Sequence, residues 1–338
     1  MQKADSCMNI LISRTDSIGD VVLTLPMAGY LKERFPDCKV FFLGRTYTSA
    51  IIGMSKHVDQ FLNWDEISKL PFDAQKEFLK SLSIDWMVHV YPNRDIARLA
   101  KAAKIQGRIG TSHRQFHWFT CNYKVSFSRK KSDLHESELN FNLLKPLGID
   151  SGPKSDEMHR YYGVDVNRIK GNVELPIKLP EGKKILILHP KSKGSAREWG
   201  LENFGQLIRL VNKQEYSICI SGTADDREKM AEWLESVRTE VVDITGKLNL
   251  EQFIVFISRA HALVAASTGP LHIAAALGIK ALGIYPPIRP MHPGRWRPIG
   301  IHASVLVVDK ECQECRISIE CACMKAIRPE DVIRFLES

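Results

Sequence analysis

Short apolar runs alternate with longer amphipathic segments along this chain. Residues 9–13 (NILIS) and 39–43 are apolar enough to form strands that are buried on both faces of a sheet. Residues 20–34 carry apolar side chains at helical spacing and end at Phe35-Pro36, where proline cannot continue a helix. Strand–helix repetition of this kind predicts a parallel sheet with helices on both faces.

The same alternation resumes in the second half of the chain, beginning with a predicted strand at 184–189 and a predicted helix at 201–212. Residues 151–180 between the halves are polar, contain several prolines and glycines and lack periodicity, which is typical of an interdomain linker. We therefore predict an α/β fold of two doubly wound domains, residues 1–165 and 166–325. A final helix in 326–338 is expected to fold back toward the first domain.

Composition narrows the class of protein. Hydrophobic residues make up 44% of the chain and charged residues 25%, as in ordinary globular proteins. No apolar run approaches the roughly 20 residues that span a bilayer, and the first nine residues do not resemble a secretory signal. We expect a cytoplasmic protein, and peripheral contact with the inner face of the inner membrane stays open.

The formal net charge is +8, which favours an anionic partner such as nucleic acid, a phosphorylated lipid or a nucleotide-activated substrate. A solvated basic surface without any such partner explains the charge equally well.

In an open parallel sheet, ligands bind where strands end and helices begin. The first such junction, Ser13 to Asp20, ends in Gly19-Asp20, and Gly19 is expected to permit a tight turn. Asp20 then lies in the first turn of the helix, where helix capping or interaction with the helix dipole also explains a carboxylate.

Two junctions of the second half suit anions. After one strand come Ser267, Thr268, Gly269 and a proline at the start of a helix, whose backbone N–H groups favour phosphate, although capping by Ser267 or Thr268 is an alternative. After another strand, the loop from His189 to Arg197 carries three cations and a glycine, and a mobile basic loop is its alternative.

Motifs of three other enzyme classes are absent from the sequence. It contains no G-x-G-x-x-G turn, no G-x-x-x-x-G-K-[ST] loop and no G-x-S-x-G elbow. Nicotinamide dehydrogenase, P-loop and serine hydrolase interpretations therefore lose support.

Residues 9–45, with Gly19-Asp20 and Thr24-Leu25-Pro26, resemble the opening of the ADP-heptose:lipopolysaccharide heptosyltransferases (glycosyltransferase family 9). STGPLHIAAALG, residues 267–278, is similar to the second signature of that family. The resemblance runs in order through nearly the whole chain. It implies two Rossmann-like domains facing a cleft (the GT-B fold), with the acceptor on the N-terminal side and the nucleotide sugar on the C-terminal side.

The resemblance also implies an inverting sugar transfer from an ADP-sugar to a phosphorylated lipopolysaccharide core, with no metal required for catalysis and no nucleic-acid partner. Asp20 would be the general base. The implied donor-binding residues are His189, Lys193 or Arg197, Asp226 (with Asp225 as its competitor), Ser267, Thr268, Gly269 and His272. The acceptor-binding candidates are Gly19, Arg45, Asn93 and Arg94.

One residue departs from the family pattern. The second signature usually has an aspartate immediately before the Ser/Thr-Gly pair, and this chain has Ser267 there. Serine keeps a hydrogen-bond acceptor but removes a charge, so the identity of the transferred sugar is open.

Four cysteines lie within twelve residues near the C-terminus, at Cys312, Cys315, Cys321 and Cys323. They supply enough thiols for a closed structural zinc site, but the spacing is not that of a zinc ribbon. Reduced or partly paired thiols explain the cluster as well.

A nucleic-acid-binding protein and a catalytically silent nucleotide-sugar-binding protein are the alternatives to the transferase. The first would need aromatic platforms beside basic residues, and only residues 116–124 hint at them.

Overall fold

Two six-stranded parallel sheets organise the computed structural model of this chain. The structure describes residues 8–129, 132–169, 173–177, 182–308, 312, 314–317 and 322–338. The chain divides into two units, residues 1–169 and 170–338, and each contains one of the sheets. The α/β prediction with two doubly wound domains is confirmed.

The first sheet has the strand order β3-β2-β1-β4-β5-β6, and all its neighbours pair in parallel. Its strands are β1 Asn9–Ser13, β2 Lys39–Gly44, β3 Gln60–Asn63, β4 Trp86–His89, β5 Gly107–Thr111 and β6 Tyr123–Val125. The helices of this unit are α1 Ile18–Val22, α2 Leu25–Arg34, α3 Ser49–Gly53, α4 Trp64–Ile67, α5 Phe72–Ser81, α6 Arg94–Ala102, α7 Gln115–Thr120 and α8 Glu136–Phe141.

The prediction of a single helix over residues 20–34 is wrong in one respect, because the structure has two helices there, α1 and α2. Pro26 is the second residue of α2 and has no N–H to donate to the preceding turn, so the first helix ends at Val22. The tight turn predicted at Gly19 is also wrong, because this residue lies inside α1.

The second sheet has the order β12-β11-β10-β7-β8-β9, again entirely parallel. Its strands are β7 Lys184–His189, β8 Tyr216–Ile220, β9 Val242–Asp243, β10 Ala262–Ala266, β11 Lys280–Tyr285 and β12 Ala303–Val307. The helices are α9 Leu201–Leu210, α10 Ala224–Lys229, α11 Ala231–Val237, α12 Leu250–Ser258, α13 Gly269–Ala276, α14 Pro293–Trp296, α15 Glu314–Ile317, α16 Ala322–Lys325 and α17 Pro329–Glu337.

Counted from the first strand of each unit, both sheets have the order 3-2-1-4-5-6. The winding reverses between β1 and β4 in one unit and between β7 and β10 in the other. Ligands of such sheets bind at this reversal, beyond the carboxyl ends of the strands. We therefore expect ligand-binding residues to follow β1, β4, β7 and β10.

Apolar side chains of the central strands are buried on both faces, as their uninterrupted apolar sequence predicts. In the first unit, Leu11, Leu43 and Met87 pack against Ile96 and Leu99 of α6. In the second unit the corresponding cluster is formed by β7, β8, α9 and the C-terminal residues 323–336.

The segment expected to be a linker is structured over its first part. Residues 158–161 form a 3₁₀ turn, Tyr162 is 1% exposed, and the Ser55 hydroxyl donates to the carbonyl of Tyr162 at 2.8 Å. Residues up to 169 therefore belong to the first unit, and the boundary lies a few residues beyond the predicted one.

The C-terminal helix α17 packs within the second unit. Val332 and Leu336 are buried in the core of that unit, and Lys280 donates from Nζ to the carbonyl of Leu336 at 3.1 Å. Its predicted return toward the first domain stays a prediction. Among the described residues, no helix has the length and apolarity to cross a bilayer.

Candidate active site

A buried arginine follows β1 and organises the first candidate site. The side chain of Arg14 is 4% exposed. It donates from Nε to Asp16 Oδ1 at 2.7 Å and from Nη2 to Asp16 Oδ2 at 3.0 Å, and Nη2 also donates to Oδ1 of Asp20. Asp20 accepts a second hydrogen bond at Oδ2 from the hydroxyl of Ser17. Two carboxylates thus share one guanidinium at the end of the first strand.

Helix α8 completes the surroundings of Arg14 from a distant part of the chain. Nη1 of Arg14 donates to Asn140 Oδ1 at 3.1 Å and to Glu136 Oε1 at 3.4 Å. Arg129 donates from Nε to the same oxygen of Glu136 at 3.0 Å, and the Glu136 side chain is 1% exposed. The three carboxylates of Asp16, Asp20 and Glu136 and the two guanidiniums of Arg14 and Arg129 together carry one net negative charge. We refer to Arg14, Asp16, Asp20, Arg129 and Glu136 as the carboxylate cluster.

Burial and the charge of the ion-pair partner shift the pKa values of Arg14 and Asp16 in opposite directions. Burial by itself would lower the pKa of Arg14, but the charges of Asp20, Asp16 and Glu136 outweigh burial and raise it. Burial raises the pKa of the Asp16 carboxyl, Arg14 opposes that rise and the charge of Asp20 adds to it. Arg14 therefore stays a cation at any ordinary pH, whereas protonation of Asp16 is made easier.

Helix capping does not account for the carboxylate of Asp20. Its oxygens accept from Arg14 and Ser17, and no side chain caps the start of α1. The backbone is held separately, because the Thr24 hydroxyl donates to the Asp20 carbonyl at 2.8 Å and accepts from Asn140 Nδ2 at 3.2 Å. Each carboxylate oxygen has about two acceptor positions, so Asp20 retains capacity for a hydroxyl proton.

Some of the predicted acceptor-binding residues already contact other groups of the protein. Arg45 forms an ion pair with Asp65. Asn93 caps α6, where its Oδ1 accepts from the backbone N–H groups of Asp95 and Ile96 at 3.0 and 3.1 Å. Arg94 is exposed beside it. Asn93 thus has a structural role that explains its position without a ligand, and acceptor binding by these residues stays a prediction.

The start of α13 is the first candidate site of the second unit. This eight-residue helix has Thr268 at its N-cap, but the Thr268 side chain makes no capping hydrogen bond. Thr268 is 7% exposed, and its Oγ1 has no hydrogen-bond partner among the described residues. A buried hydroxyl without a partner costs free energy, and here it lies where backbone N–H groups and the helix dipole favour an anion. His272 is buried one turn further along the helix.

Ser267, the departure from the family pattern, lies against Tyr285. The Ser267 hydroxyl lies close to the Tyr285 side chain, and the Tyr285 hydroxyl donates to the carbonyl of Trp296 at 2.5 Å. Burial raises the pKa of Tyr285, so it remains a neutral phenol.

His189 ends β7 and is held as a neutral imidazole. Its Nδ1 lies 2.9 Å from the Ser221 hydroxyl oxygen, which lies 3.2 Å from the Leu188 carbonyl. Burial lowers the pKa of His189 to about 4, so the side chain is neutral at pH 7. A neutral imidazole carries no charge to attract a phosphate and suits a hydroxyl or amino group better.

The loop after His189 and helix α10 enclose a cavity of about 470 Å³ in the second unit. Its charged lining residues are Lys191, Lys193, Arg197, Glu198, Asp225, Asp226 and Lys229. Lys191 is paired with Glu198 at 2.9 Å, whereas Lys193 is exposed with a left-handed backbone (φ 50°) next to Gly194. Cations and carboxylates both line this cavity, as binding of phosphate together with ribose hydroxyls requires.

Asp226 and Arg197 both have structural partners. One oxygen of Asp226 accepts from the Thr223 N–H at 2.8 Å and from its hydroxyl at 2.7 Å, which forms a capping box on α10. Arg197 donates from Nε to the Cys315 carbonyl at 2.9 Å. The sequence pattern Thr-x-x-Asp is a capping-box signal, so the cap at Thr223 could have been predicted.

Three of the four clustered cysteines come together. The sulfur atoms of Cys312, Cys315 and Cys323 lie within 4.8 Å of one another, and Cys315 and Cys323 are buried. Cys321 lies outside the described residues. Cys315 is disulfide-bonded in the structure. Three converging thiols fit the ligand chemistry of zinc, provided that Cys315 is reduced.

A pair of buried histidines lies apart from these groups in the first unit. His89, the last residue of β4, and His117 of α7 have ring centroids 5.6 Å apart. Neither ring nitrogen of His89 has a hydrogen-bond partner among the described residues. Burial lowers the pKa of His89 to about 3, and the neighbouring His117 adds to the effect.

The fold and the positions of these groups define a class, that of proteins with two Rossmann-like units and anion-suited loops at a strand–helix junction. Comparison with known proteins identifies the family. The profile of glycosyltransferase family 9 (heptosyltransferase) matches residues 85–325, and the chain belongs to this family. It is therefore a glycosyltransferase, and the nucleic-acid-binding alternative is not favoured.

Relatives of similar length support this assignment. The chain is 27% identical over 336 residues to lipooligosaccharide heptosyltransferase 2 of Campylobacter jejuni, covering 96% of this chain and 97% of the relative. Among solved structures, a family 9 glycosyltransferase of Veillonella parvula has a TM-score of 0.75 at 19% identity, covering 98% of both chains. Heptosyltransferase WaaC of Escherichia coli with ADP has a TM-score of 0.73 at 18% identity, covering 98% of this chain and 99% of WaaC. The two structural likenesses concern the fold.

Proposed function

We propose that this protein is an inverting transferase that moves a heptose, or a related sugar, from an ADP-sugar to a lipopolysaccharide core acceptor, with Asp20 as general base. The names of the relatives support the sugar and the acceptor, and the family supports the reaction class. The observation that carries the proposed mechanism is the hydrogen bonding of Asp20, whose carboxylate is oriented by Arg14 and Ser17 and does not cap its helix.

In the proposed reaction, a hydroxyl oxygen of the acceptor attacks the anomeric carbon of the donor from the face opposite the pyrophosphate. The bond between that carbon and the phosphate oxygen breaks, and ADP leaves with both bonding electrons. The hydroxyl proton passes to Asp20, which is the usual role of a carboxylate general base. The carboxylate cluster has one net negative charge, so uptake of a proton neutralises it.

The second unit supplies the groups that would hold the donor. The N–H groups at the start of α13 and the Thr268 hydroxyl are suited to the pyrophosphate, and Lys193 is suited to balance the charge that develops as ADP leaves. His189 and Asp226 are suited to hydroxyl or amino groups of the nucleoside. These interactions need no metal ion.

The base assignment is tested with Asp20→Asn, which keeps the size of the side chain and removes its basicity. Transfer should fall by a factor of about 10² or more, while ADP affinity, measured by calorimetry, stays within twofold of wild type. Asp16→Asn is the matched control, because it also removes a carboxylate bound to Arg14. If Asp16→Asn abolishes transfer and Asp20→Asn does not, the base is Asp16.

The sugar is tested by thermal shift with a panel of ADP-sugars and their UDP counterparts. A ligand at about 100 times its Kd stabilises the folded protein by roughly 2.7 kcal/mol. ADP-heptose should give the largest shift, and no response to any ADP-sugar would contradict the proposed donor. Ser267→Asp, which restores the usual family residue beside Tyr285, should change the ranking of sugars more than the affinity for ADP alone.

We also propose that the protein works in the cytoplasm at the inner face of the inner membrane, where an ADP-sugar and a lipid-linked acceptor would meet. The support is the proposed chemistry of both substrates. Fractionation of cells that express the chain, followed by a salt wash, tests this location. Release of the protein from the membrane fraction by salt is the expected result for peripheral contact.

A structural zinc ion at Cys312, Cys315 and Cys323 is a further part of the proposal. It would hold α15 and α16 together, and α15 accepts the hydrogen bond from Arg197 at the donor cavity. Protein purified under reducing conditions should contain about one zinc per chain by elemental analysis, and Cys323→Ser should lose it. Metal-free protein with two fewer titratable thiols than cysteines would instead indicate that the disulfide is the stable state.

A further inference from the structure

Helix α7 presents two neighbouring aromatic side chains to solvent. Trp118 is 59% exposed and Phe119 is 75% exposed, and Tyr123 of the adjoining strand β6 is 40% exposed. Single exposed apolar residues are common, but two large aromatic side chains exposed side by side form an apolar surface, and such surfaces often mark binding sites. We refer to Trp118 and Phe119 as the aromatic patch.

The aromatic patch is held in a defined position. The indole N–H of Trp118 donates to the Ser112 carbonyl at 2.9 Å, so its polar atom is satisfied by the protein while the ring stays exposed. Lys101 of α6 donates from Nζ to the Phe119 carbonyl at 2.8 Å. On the opposite side of α7, His117 and Thr120 are buried. The exposed Trp118 and Phe119 rings thus belong to a helix that hydrogen bonds and buried side chains hold in place.

Cations surround the aromatic patch. Lys124 Nζ lies 5.5 Å from the centre of the Trp118 ring, and Lys101 and Lys104 are exposed on the neighbouring helix and its end. Residues 86–129 contain eight lysines and arginines, and Asp95 is the only acidic residue among them. This segment therefore has a formal net charge of +7, and Lys101 and Lys124 both contact α7 directly.

We propose that the aromatic patch and its lysines are the surface by which the protein docks on an anionic phospholipid bilayer. Tryptophan and phenylalanine side chains insert at the boundary between headgroups and acyl chains, and nearby lysines are attracted by anionic headgroups. Binding of single-stranded nucleic acid uses a basic groove with several stacking platforms, whereas the aromatic patch consists of two side chains on one short helix. The inference adds a surface to the proposed membrane location and does not depend on the sugar or the acceptor.

Vesicle sedimentation of the full chain tests the proposal, with vesicles that contain no glycosylation acceptor. Binding to vesicles of phosphatidylethanolamine and phosphatidylglycerol should exceed binding to phosphatidylcholine vesicles and should weaken as salt is raised. The double variant Trp118→Ser/Phe119→Ser should bind about tenfold or more weakly, since it loses two inserting side chains. Phe72→Ser, which removes an aromatic side chain that is 50% exposed on α5, should bind like wild type.

A second measurement separates insertion from any change in folding. Brominated lipid should quench part of the tryptophan fluorescence of the wild type, and Trp118→Phe should bind vesicles but lose that part. ADP affinity of the double variant should equal that of wild type, whether or not the proposed transfer is correct. Equal binding of the double variant and wild type would overturn the proposal. A concentration-dependent dimer that the double variant loses, without vesicle binding by wild type, would also overturn it.

Discussion

Replacing Thr268 by valine should change stability and ligand affinity in opposite senses. Valine has nearly the shape of threonine, but a methyl group replaces the hydroxyl. That hydroxyl is buried and has no partner among the described residues, and a buried unsatisfied polar group costs about 1–3 kcal/mol. The free energy of unfolding of ligand-free protein should therefore rise by about that amount. In a unit of this size, each kcal/mol corresponds to a rise in Tm of roughly 2–4 °C.

The same substitution should weaken nucleotide binding. A hydrogen bond from a neutral hydroxyl to a charged phosphate contributes about 1.5–3 kcal/mol, so the Kd for ADP should rise by roughly 10- to 150-fold. Scanning calorimetry without ligand and titration calorimetry with ADP measure the two effects on the same sample. The variant would thus be the more stable protein and the poorer ligand binder.

Thr245→Val is the control for the stability effect. Thr245 is 2% exposed in the same unit, but its hydroxyl is satisfied, since it donates to Asp243 Oδ1 at 2.5 Å. Its removal should lower Tm. A lower Tm for Thr268→Val would show that its hydroxyl is satisfied in the ligand-free protein. A higher Tm with unchanged ADP affinity would show that α13 does not bind the pyrophosphate through this residue.

Two further predictions concern the first unit. Glu136→Gln removes the carboxylate, 1% exposed, that accepts from both Arg14 and Arg129, so it should lower the free energy of unfolding by about 3–5 kcal/mol in urea titrations. Glu215→Gln, at the exposed pair with Lys184, should have a much smaller effect. A loss at Glu136 as small as that at Glu215 would contradict the buried network. Folded His89 titrates near pH 3 and the unfolded chain near 6.5, so between these values the unfolded state binds more protons and stability falls as pH drops. The loss should be on the order of 1 kcal/mol per pH unit between these values. His89→Leu should flatten the profile by that amount, and an unchanged slope would show that His89 is not the group responsible.

Much of the fold follows from local sequence patterns. Strands β1 and β7 were predicted with the bounds that the structure shows, because uninterrupted apolar runs of this length are typical of buried strands in an α/β chain. Strands β5 (GRIGT) and β6 (YKV) were missed, since glycines and cations hide their role and only pairing within the sheet makes them strands.

The candidate site was predictable in part. Asp20 and Thr268 could be located because each follows a recognisable strand. The importance of Arg14 could not be seen, although it lies in the same junction as Asp20, because its burial depends on Glu136 and Asn140, more than 120 residues later. Asn93 shows the reverse case. The sequence predicts that this polar residue at the end of a strand binds the acceptor, which stays a prediction, and the cap that it forms on the next helix was not foreseen.

The shared strand order of the two sheets has a consequence for electrostatic specialisation. The junction after β1 and the junction after β7 occupy equivalent places in equivalent frames, yet the first holds the carboxylate cluster and the second holds a loop with Lys191, Lys193 and Arg197. The same strand order thus supports two different electrostatic environments, and the one after β1 depends on Arg129 and Glu136 from a distant part of the chain as well as on the turn itself. Substitutions in that turn alone would therefore change only part of the charge around Arg14.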